Sequence, residues 1–131
     1  MDKNKFMQIK KEHAKEILHL LLNNQEEFLV LAYLKAISFN PTLPKHIIKN
    51  FDEAVLFAIA SYTLQTAHIK DDNLIFEAGF GEENFGSIVT IPLANIIQIL
   101  QKEPLFINPF ATIITKNPFL QNPKNRKFLK N

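Results

Sequence analysis

An alternating apolar segment followed by clustered glycines is the feature of this sequence that most constrains its fold. The apolar positions of the segment all share one parity: Leu74, Phe76, Ala78 and Phe80. That pattern predicts a β-strand with one apolar face. All three glycines of the chain lie within residues 76–87, and extended character resumes at 87–93. A turn that needs positive φ explains the glycines, so the sequence predicts a β-hairpin.

A phosphate-binding loop is the alternative interpretation of these glycines. Gly81 and Gly86 have the four-residue gap of the pattern G-x-x-x-x-G-K-[ST], in which backbone amides and a lysine hold the phosphates. Ser87 stands where that lysine is needed, and Glu82 and Glu83 would repel phosphate. A strand rather than a helix is predicted to follow. The pattern therefore favours the hairpin.

Three further segments have a readable pattern. Apolar residues recur every three to four positions over 9–22, which predicts an amphipathic helix ending at Asn23-Asn24. Residues 28–39 are apolar without a clear period, and could continue the helix or form a buried strand; we favour strand from about Leu34 onward. The short apolar segment AVLFAIA, residues 54–60, predicts another strand.

The remaining elements are short. Asp71-Asp72-Asn73 predicts a turn. After Pro92, apolar residues at i, i+3, i+4 and i+7 predict a short helix that packs on the sheet: Leu93, Ile96, Ile97 and Leu100. Four prolines interrupt the sequence from residue 104 onward, and leave room for one short strand over 111–115.

Composition excludes several kinds of site. The chain has no cysteine, which excludes disulfides, thiol catalysis and Cys-ligated metal centres. Its four histidines are scattered, and no pair has metal-ligand spacing. No serine lies in a nucleophile elbow. We therefore predict neither an enzyme nor a metal or other cofactor.

Size and charge indicate one globular domain. Of the 131 residues, 47% are hydrophobic and 21% charged. A net charge of +2 is too small to indicate nucleic-acid binding by itself, and membrane association is not expected, since no apolar run approaches bilayer length. The N-terminal residues lack a signal-peptide pattern, so a cytoplasmic location is predicted. The ending NRKFLKN is either a frayed terminus or a short docking motif.

The order of these elements resembles the stringent starvation protein B (SspB) family, the adaptors that deliver tagged peptides to the ClpXP protease. The resemblance rests on three short motifs: LLNNQ at 21–25, FEAGFG at 76–81 and IPLANI at 91–96. It covers residues 54–100 well and the first helix moderately.

The resemblance implies an α+β fold that is mainly β: a small, partly open Sm-like barrel with an N-terminal helix and a short helix after the last hairpin. It implies an SspB-like domain over 1–115, commonly a homodimer, with a basic-hydrophobic tail over 116–131. A groove would hold a degradation (ssrA-type) tag, and the implied peptide-binding residues are Ala58, Ile59, Ala60, Ser61, Phe76, Glu77, Ala78 and Phe80. The tail would dock on the AAA+ unfoldase, ClpX-type, through Arg126, Lys127, Phe128, Leu129 and Lys130.

Two other functions fit the same sequence. An Sm-like barrel could bind RNA through the basic tail and exposed aromatic residues. Alternatively, the apolar first helix and residues 28–37 could form an obligate dimer in a structural or partner-binding protein. Salt dependence separates the first of these from peptide binding, because nucleic-acid affinity falls steeply with added salt.

Overall fold

The structure, a computed structural model, describes residues 1–111. These residues form the following helices and strands: α1 Lys3–Asn23, β1 Phe28–Tyr33, β2 Ser38–Asn40, α2 Lys45–Ile48, β3 Ala54–Ile59, α3 Ser61–Thr66, β4 His68–Lys70, β5 Asn73–Phe80, β6 Phe85–Pro92, β7 Ile96–Leu100 and β8 Pro104–Ile107. Short 3-10 turns follow β1, at Leu34–Ala36, and β6, at Leu93–Asn95. None of the helices over residues 1–111 has both the length and the hydropathy of a membrane-spanning segment.

Two antiparallel sheets of four strands make up the fold. Sheet 1 has the strand order β3-β1-β7-β8, and sheet 2 has the order β2-β6-β5-β4. The predicted α+β class is confirmed. Within residues 1–111 the strands pair into two separate sheets, and no closed barrel is formed.

The core lies between the two sheets. Inward-facing residues of both belong to one buried cluster, which includes Val30, Phe57 and Ile99 from sheet 1 and Leu74, Phe76, Val89 and Ile91 from sheet 2. The rings of Phe57 and Phe76 meet edge to face, with centroids 5.4 Å apart. Contacts of this kind contribute about 0.5–1.5 kcal/mol beyond the burial of area.

Helix α1 begins earlier than the apolar spacing predicts. The Asp2 carboxylate accepts a hydrogen bond from the Lys5 amide at 3.2 Å, and this N-cap starts the helix at Lys3. The buried face then comprises Ala14, Leu18 and Leu21. The predicted end at Asn23-Asn24 is confirmed, although the left-handed residue that follows is Gln25, with φ 53°.

Salt bridges join α1 to sheet 2. Lys11 and Lys15 reach Asp72, in the turn before β5, at 3.1 Å and 3.3 Å. Hydrogen bonds from Lys11 and then Lys15 hold the pKa of the Asp72 carboxyl below its ordinary value. The turn itself, predicted at residues 71–73, is confirmed by positive φ at Asp71 and Asp72.

Helix α1 also contacts sheet 1. The Lys10 ammonium donates to the Ile107 carbonyl oxygen at 2.7 Å. His13 packs edge to face on Phe106, with ring centroids 5.5 Å apart. Both partners lie on β8, so the helix spans the two sheets and fixes their relative position.

The predicted hairpin is confirmed as β5 and β6, which pair from Asn73↔Pro92 to Phe80↔Phe85. The turn over residues 81–84 has positive φ at Gly81, 74°, and at Asn84, 54°. The strand predicted at 54–60 is confirmed as β3.

The predicted helix over residues 93–100 is wrong beyond its first turn. Only Leu93–Asn95 is helical, as a 3-10 turn, and Ile96–Leu100 is strand β7, between β1 and β8. The pairs Leu31↔Gln98 and Ala32↔Ile96 leave Ile97 as an extra residue, a β-bulge. The bulge separates the buried residues Ile96 and Ile99 by three positions instead of two, which imitates helical spacing.

Of the strand favoured from Leu34 onward, only the end is confirmed, as β2, which begins at Ser38. The first strand is Phe28–Tyr33, and Leu34–Ala36 forms a 3-10 turn. β1 is paired on both edges, and its less buried face is apolar as well, so no alternation is visible in the sequence. Strand β8 was not predicted, and the strand predicted over 111–115 lies, apart from Ala111, outside the described residues, as does the predicted domain boundary at 115.

Candidate functional site

A cleft opens between the corner that joins β3 to α3 and the turn end of the β5–β6 hairpin. Its volume is about 570 Å³, and its lining residues are Asn40, Pro41, Ala60, Ser61, Tyr62, Thr63, Glu77, Ala78, Gly79, Asn84, Gly86, Ser87 and Ile88. That volume is within the range of ligand-binding clefts. Glu77 is the one charged side chain of this lining.

A cross-strand pair of glycines forms part of the surface of the cleft. Gly79 of β5 pairs with Gly86 of β6, and both lie on the exposed face of sheet 2. The next pair on that face is Glu77 with Ile88. The missing side chain of Gly86 leaves a depression in the sheet surface, whereas the side chain of Asn84 lies over Gly79. A β-carbon added at Gly86 would meet no atom within 4 Å.

The edge of β5 beside the cleft is only partly covered. Strand β4 pairs with β5 as far as Ile75. The Glu77 amide then donates to Thr66 Oγ1 at 2.9 Å, so it faces away from β6. Because backbone groups alternate along a strand, those of Gly79 face the same way. Among residues 1–111 no hydrogen bond reaches Gly79 from that side, which leaves an unpaired strand edge.

The opposite wall is the start of α3. Ser61 has φ 51°, a left-handed conformation that is uncommon outside glycine. It turns the chain from β3 into α3 at the cleft. Thr66, at the other end of α3, accepts from the Glu77 amide and donates to the Thr63 carbonyl at 2.8 Å. The first of these hydrogen bonds holds the helix against β5.

A tyrosine–carboxylate pair joins the two walls. The Tyr62 hydroxyl donates to Glu77 Oε1 at 2.7 Å. That hydrogen bond and the negative charge of Glu77 raise the pKa of the Tyr62 hydroxyl above its ordinary value. The second oxygen of Glu77 has no protein partner among residues 1–111.

The hairpin turn borders the cleft through Asn84. The backbone amide of Asn84 donates to the Gly81 carbonyl oxygen at 3.1 Å, which closes the turn. The Asn84 side chain lies over Gly79, where an added β-carbon would overlap Oδ1 and lie 2.6 Å from Cγ. On the far side of the turn, Glu83 pairs with His46 of α2 at 2.7 Å. A backbone hydrogen bond, and after it His46, lowers the pKa of Glu83.

A second cavity, of about 440 Å³, lies on that far side. It is lined by His46, Ile47, Asn50, Phe51, Phe80, Gly81, Glu82 and Glu83. Phe80 contacts Phe51 and Phe57 edge to face at centroid distances of 6.1 Å and 6.4 Å. The cavity therefore borders the aromatic part of the core.

The structure separates the eight sequence-predicted site residues. Four line the cleft: Ala60, Ser61, Glu77 and Ala78. Two are buried in the core: Ile59 and Phe76. Ala58 is exposed on β3 outside the cleft, and Phe80 lines the second cavity. The face shared by Phe76, Ala78 and Phe80 points toward the core, and the more exposed positions of β5 are those between them.

Sequence reasoning missed several residues of the cleft. Gly79 and Gly86 were interpreted only as part of the hairpin bend, and Tyr62 was not identified. The signal was present for the glycines, because they stand symmetrically about a four-residue turn. Once the turn is placed at 81–84, two-residue periodicity puts them opposite each other.

The remaining predictions concern metal sites and the tail. Among residues 1–111 no group of three His, Cys, Asp or Glu side chains could hold a metal ion. The tail residues Arg126–Lys130 lie outside the described residues. Comparisons with family models, with curated proteins and with solved structures found no match to this chain.

Proposed function

We propose that this protein is a non-enzymatic adaptor that binds an extended, tagged polypeptide in the cleft and delivers it to a AAA+ protease of the ClpXP type. The observation that carries the binding half is the unpaired β5 edge at Gly79, which borders an open cleft. Extended peptides bind such edges by adding a strand, with affinity from main-chain hydrogen bonds and specificity from pockets for alternate side chains.

The small size of several lining residues supports a polypeptide as the ligand of the cleft. Ala60, Ala78 and Gly86 are all small, so a peptide chain can approach the sheet closely. The α3 wall lies across from the β5 edge, and gives a guest strand contacts on two sides. A flat open sheet surface would lack that second wall.

The sequence resemblance supports the delivery half. The motif FEAGFG, which resembles a motif of the SspB adaptors, contributes Glu77, Ala78 and Gly79 to the cleft. The proposal includes the finer fold that the resemblance implies, with the two sheets corresponding to a partly open, SspB-like barrel. It also includes the homodimer and the unfoldase-docking tail.

The test of binding is a titration of a fluorescent peptide that carries the stalled-translation tag of the source organism. Gly86→Leu fills the cleft without an internal collision, because a β-carbon there meets nothing within 4 Å. We expect it to weaken binding by about tenfold or more, the effect of losing roughly 1.4 kcal/mol of contact. Gly86→Ala should have a smaller effect in the same direction.

Ala58→Leu is the matched control, since it adds the same side chain to an exposed strand position outside the cleft. It should leave affinity unchanged. Circular dichroism and urea unfolding would establish that all three variants are folded. Equal affinities for Gly86→Leu and the parent chain would place binding elsewhere, and absence of saturable binding would refute the proposal.

Delivery requires a separate assay. A tagged fluorescent reporter is degraded by the protease with and without this protein, and we expect acceleration at subsaturating reporter concentration. Gly86→Leu should abolish the acceleration, and Ala58→Leu should retain it. Peptide binding without acceleration would keep the binding half of the proposal and refute the adaptor half.

A further inference from the structure

We propose that the cleft selects a polypeptide segment carrying a Lys or Arg side chain, which pairs with Glu77. This inference rests on the proposed peptide-binding function and specifies the chemistry of its ligand. It concerns the charge of the occupant, which the cleft geometry alone leaves open.

The one charged side chain of the cleft lining, Glu77, is negative, and it belongs to an acidic stretch of the sequence. Between residues 71 and 101 the sequence contains five acidic residues and no Lys, Arg or His. Among residues 1–111, Asp72 is paired with two lysines and Glu83 with a histidine, whereas Glu77 and Glu82 have no cation within salt-bridge distance. A cleft with this lining attracts cationic groups and repels anionic ones.

The geometry of Glu77 suits a cationic partner. Tyr62 occupies Oε1 and orients the carboxylate, so that Oε2 has no partner among the described residues. The lining of the cleft contains no basic side chain that would compete for Glu77 or bind an acidic residue of the guest. An ammonium or guanidinium group would form a charge-assisted hydrogen bond with this oxygen.

An added strand brings side chains to the required place. Glu77 lies on the exposed face of sheet 2, and Thr66 already accepts from its amide, so a guest strand would pair with the β5 edge at Gly79. The guest residue opposite Gly79 would project its side chain on the same face as Glu77 and diagonal to it, about 7–8 Å away, a distance that a long side chain can span. A Lys or Arg at this one position of the peptide, and not at its neighbours, would therefore meet the carboxylate.

The test is a positional scan of the tag peptide, in which each residue in turn is replaced by Lys, Gln or Glu. We expect one position at which the Lys-substituted peptide binds the full chain roughly two- to fivefold more tightly than the Gln-substituted peptide. The Glu-substituted peptide should bind more weakly than either. The preference should decrease with added salt. In the variant Glu77→Gln the preference for Lys over Gln at that position should disappear.

The outcomes distinguish this inference from the proposed function. If no position favours Lys, while Gly86→Leu still weakens the parent peptide, the inference is overturned and peptide binding stands. If no peptide binds at all, both are overturned. A Lys preference that persists in Glu77→Gln also overturns the inference.

The chain's own basic tail is the alternative cationic occupant. Replacing Lys124, Arg126, Lys127 and Lys130 by Gln in the full chain should leave the affinity for the Lys-containing peptide unchanged. A clear increase in affinity would identify the tail as the resident ligand and overturn selection of an outside segment.

Discussion

The glycine pair provides a stability test of the cleft surface that needs no ligand. Gly79→Ala and Gly86→Ala add one methyl group each to facing positions of the same hairpin. At Gly86 the methyl group enters empty space, whereas at Gly79 it overlaps the side-chain amide of Asn84. The two substitutions are therefore chemically identical and differ in what the new methyl group contacts.

The expected difference in free energy of unfolding follows from these contacts. Replacing Gly by Ala where the backbone permits it stabilises a protein by about 0.4–1 kcal/mol, through the entropy of the unfolded chain. Gly86→Ala should show this gain. Gly79→Ala must also move Asn84 from its rotamer, which costs about 0.5–1.5 kcal/mol. We expect Gly79→Ala to be less stable than Gly86→Ala by that amount.

Urea unfolding measures this difference in free energy of unfolding, provided that the slope of the free energy against urea concentration is the same in both variants. Asn84→Gly completes a double-mutant cycle, since glycine keeps the left-handed conformation of this position and removes the colliding amide. In the Asn84→Gly background the penalty of Gly79→Ala should vanish. Equal stabilities of the two alanine variants, or a penalty that persists without the Asn84 side chain, would refute the proposed packing of this turn.

Three other predictions concern the core, the α1 contact and the tail. Phe76→Ala should lower the free energy of unfolding by about 3–5 kcal/mol. A double-mutant cycle of Phe57→Leu and Phe76→Leu should show a coupling energy of about 0.5–1.5 kcal/mol, and additive effects would contradict the edge-to-face contact. The hydrogen bonds from Lys11 and Lys15 lower the folded-state pKa of Asp72, so Asp72→Asn should destabilise the protein above pH 3.8. The difference in stability between the variant and the parent chain should disappear as the pH falls through the folded-state pKa. A difference in unfolding midpoint that does not change with pH would count against this pairing. Deleting residues 125–131 should spare peptide binding and stop stimulated degradation, so delivery that persists would leave the tail without a docking role.

Whether the bounds of β5 and β1 could be predicted from the sequence depended on the polarity of the less buried face of each strand. In β5 the alternation and the following glycines identified both the strand and the hairpin, because one face is buried and the other carries Glu77 and Gly79. β1 has an apolar residue at every position, so its burial pattern is invisible in the sequence. β7 was misassigned because a bulge changed the spacing of its buried residues.

The cleft was predictable only in part, for a different reason. Ala60, Ser61, Glu77 and Ala78 were identified as neighbours of an extended groove, and they do line one cavity. The left-handed conformation of Ser61 could not be inferred, because no glycine or asparagine marks that corner. The short α3, which forms the second wall, has too few residues to show a helical period.

The contact between α1 and β8 has a consequence for folding during synthesis. Lys10 and Ile107 are 97 residues apart, so the first helix leaves the ribosome long before its partner strand exists. Until then the apolar face of α1 has no β8 to pack on, and a helix without tertiary contacts is only marginally stable. We expect the nascent chain to remain incompletely folded until β8 has emerged, with that face open to chaperones throughout.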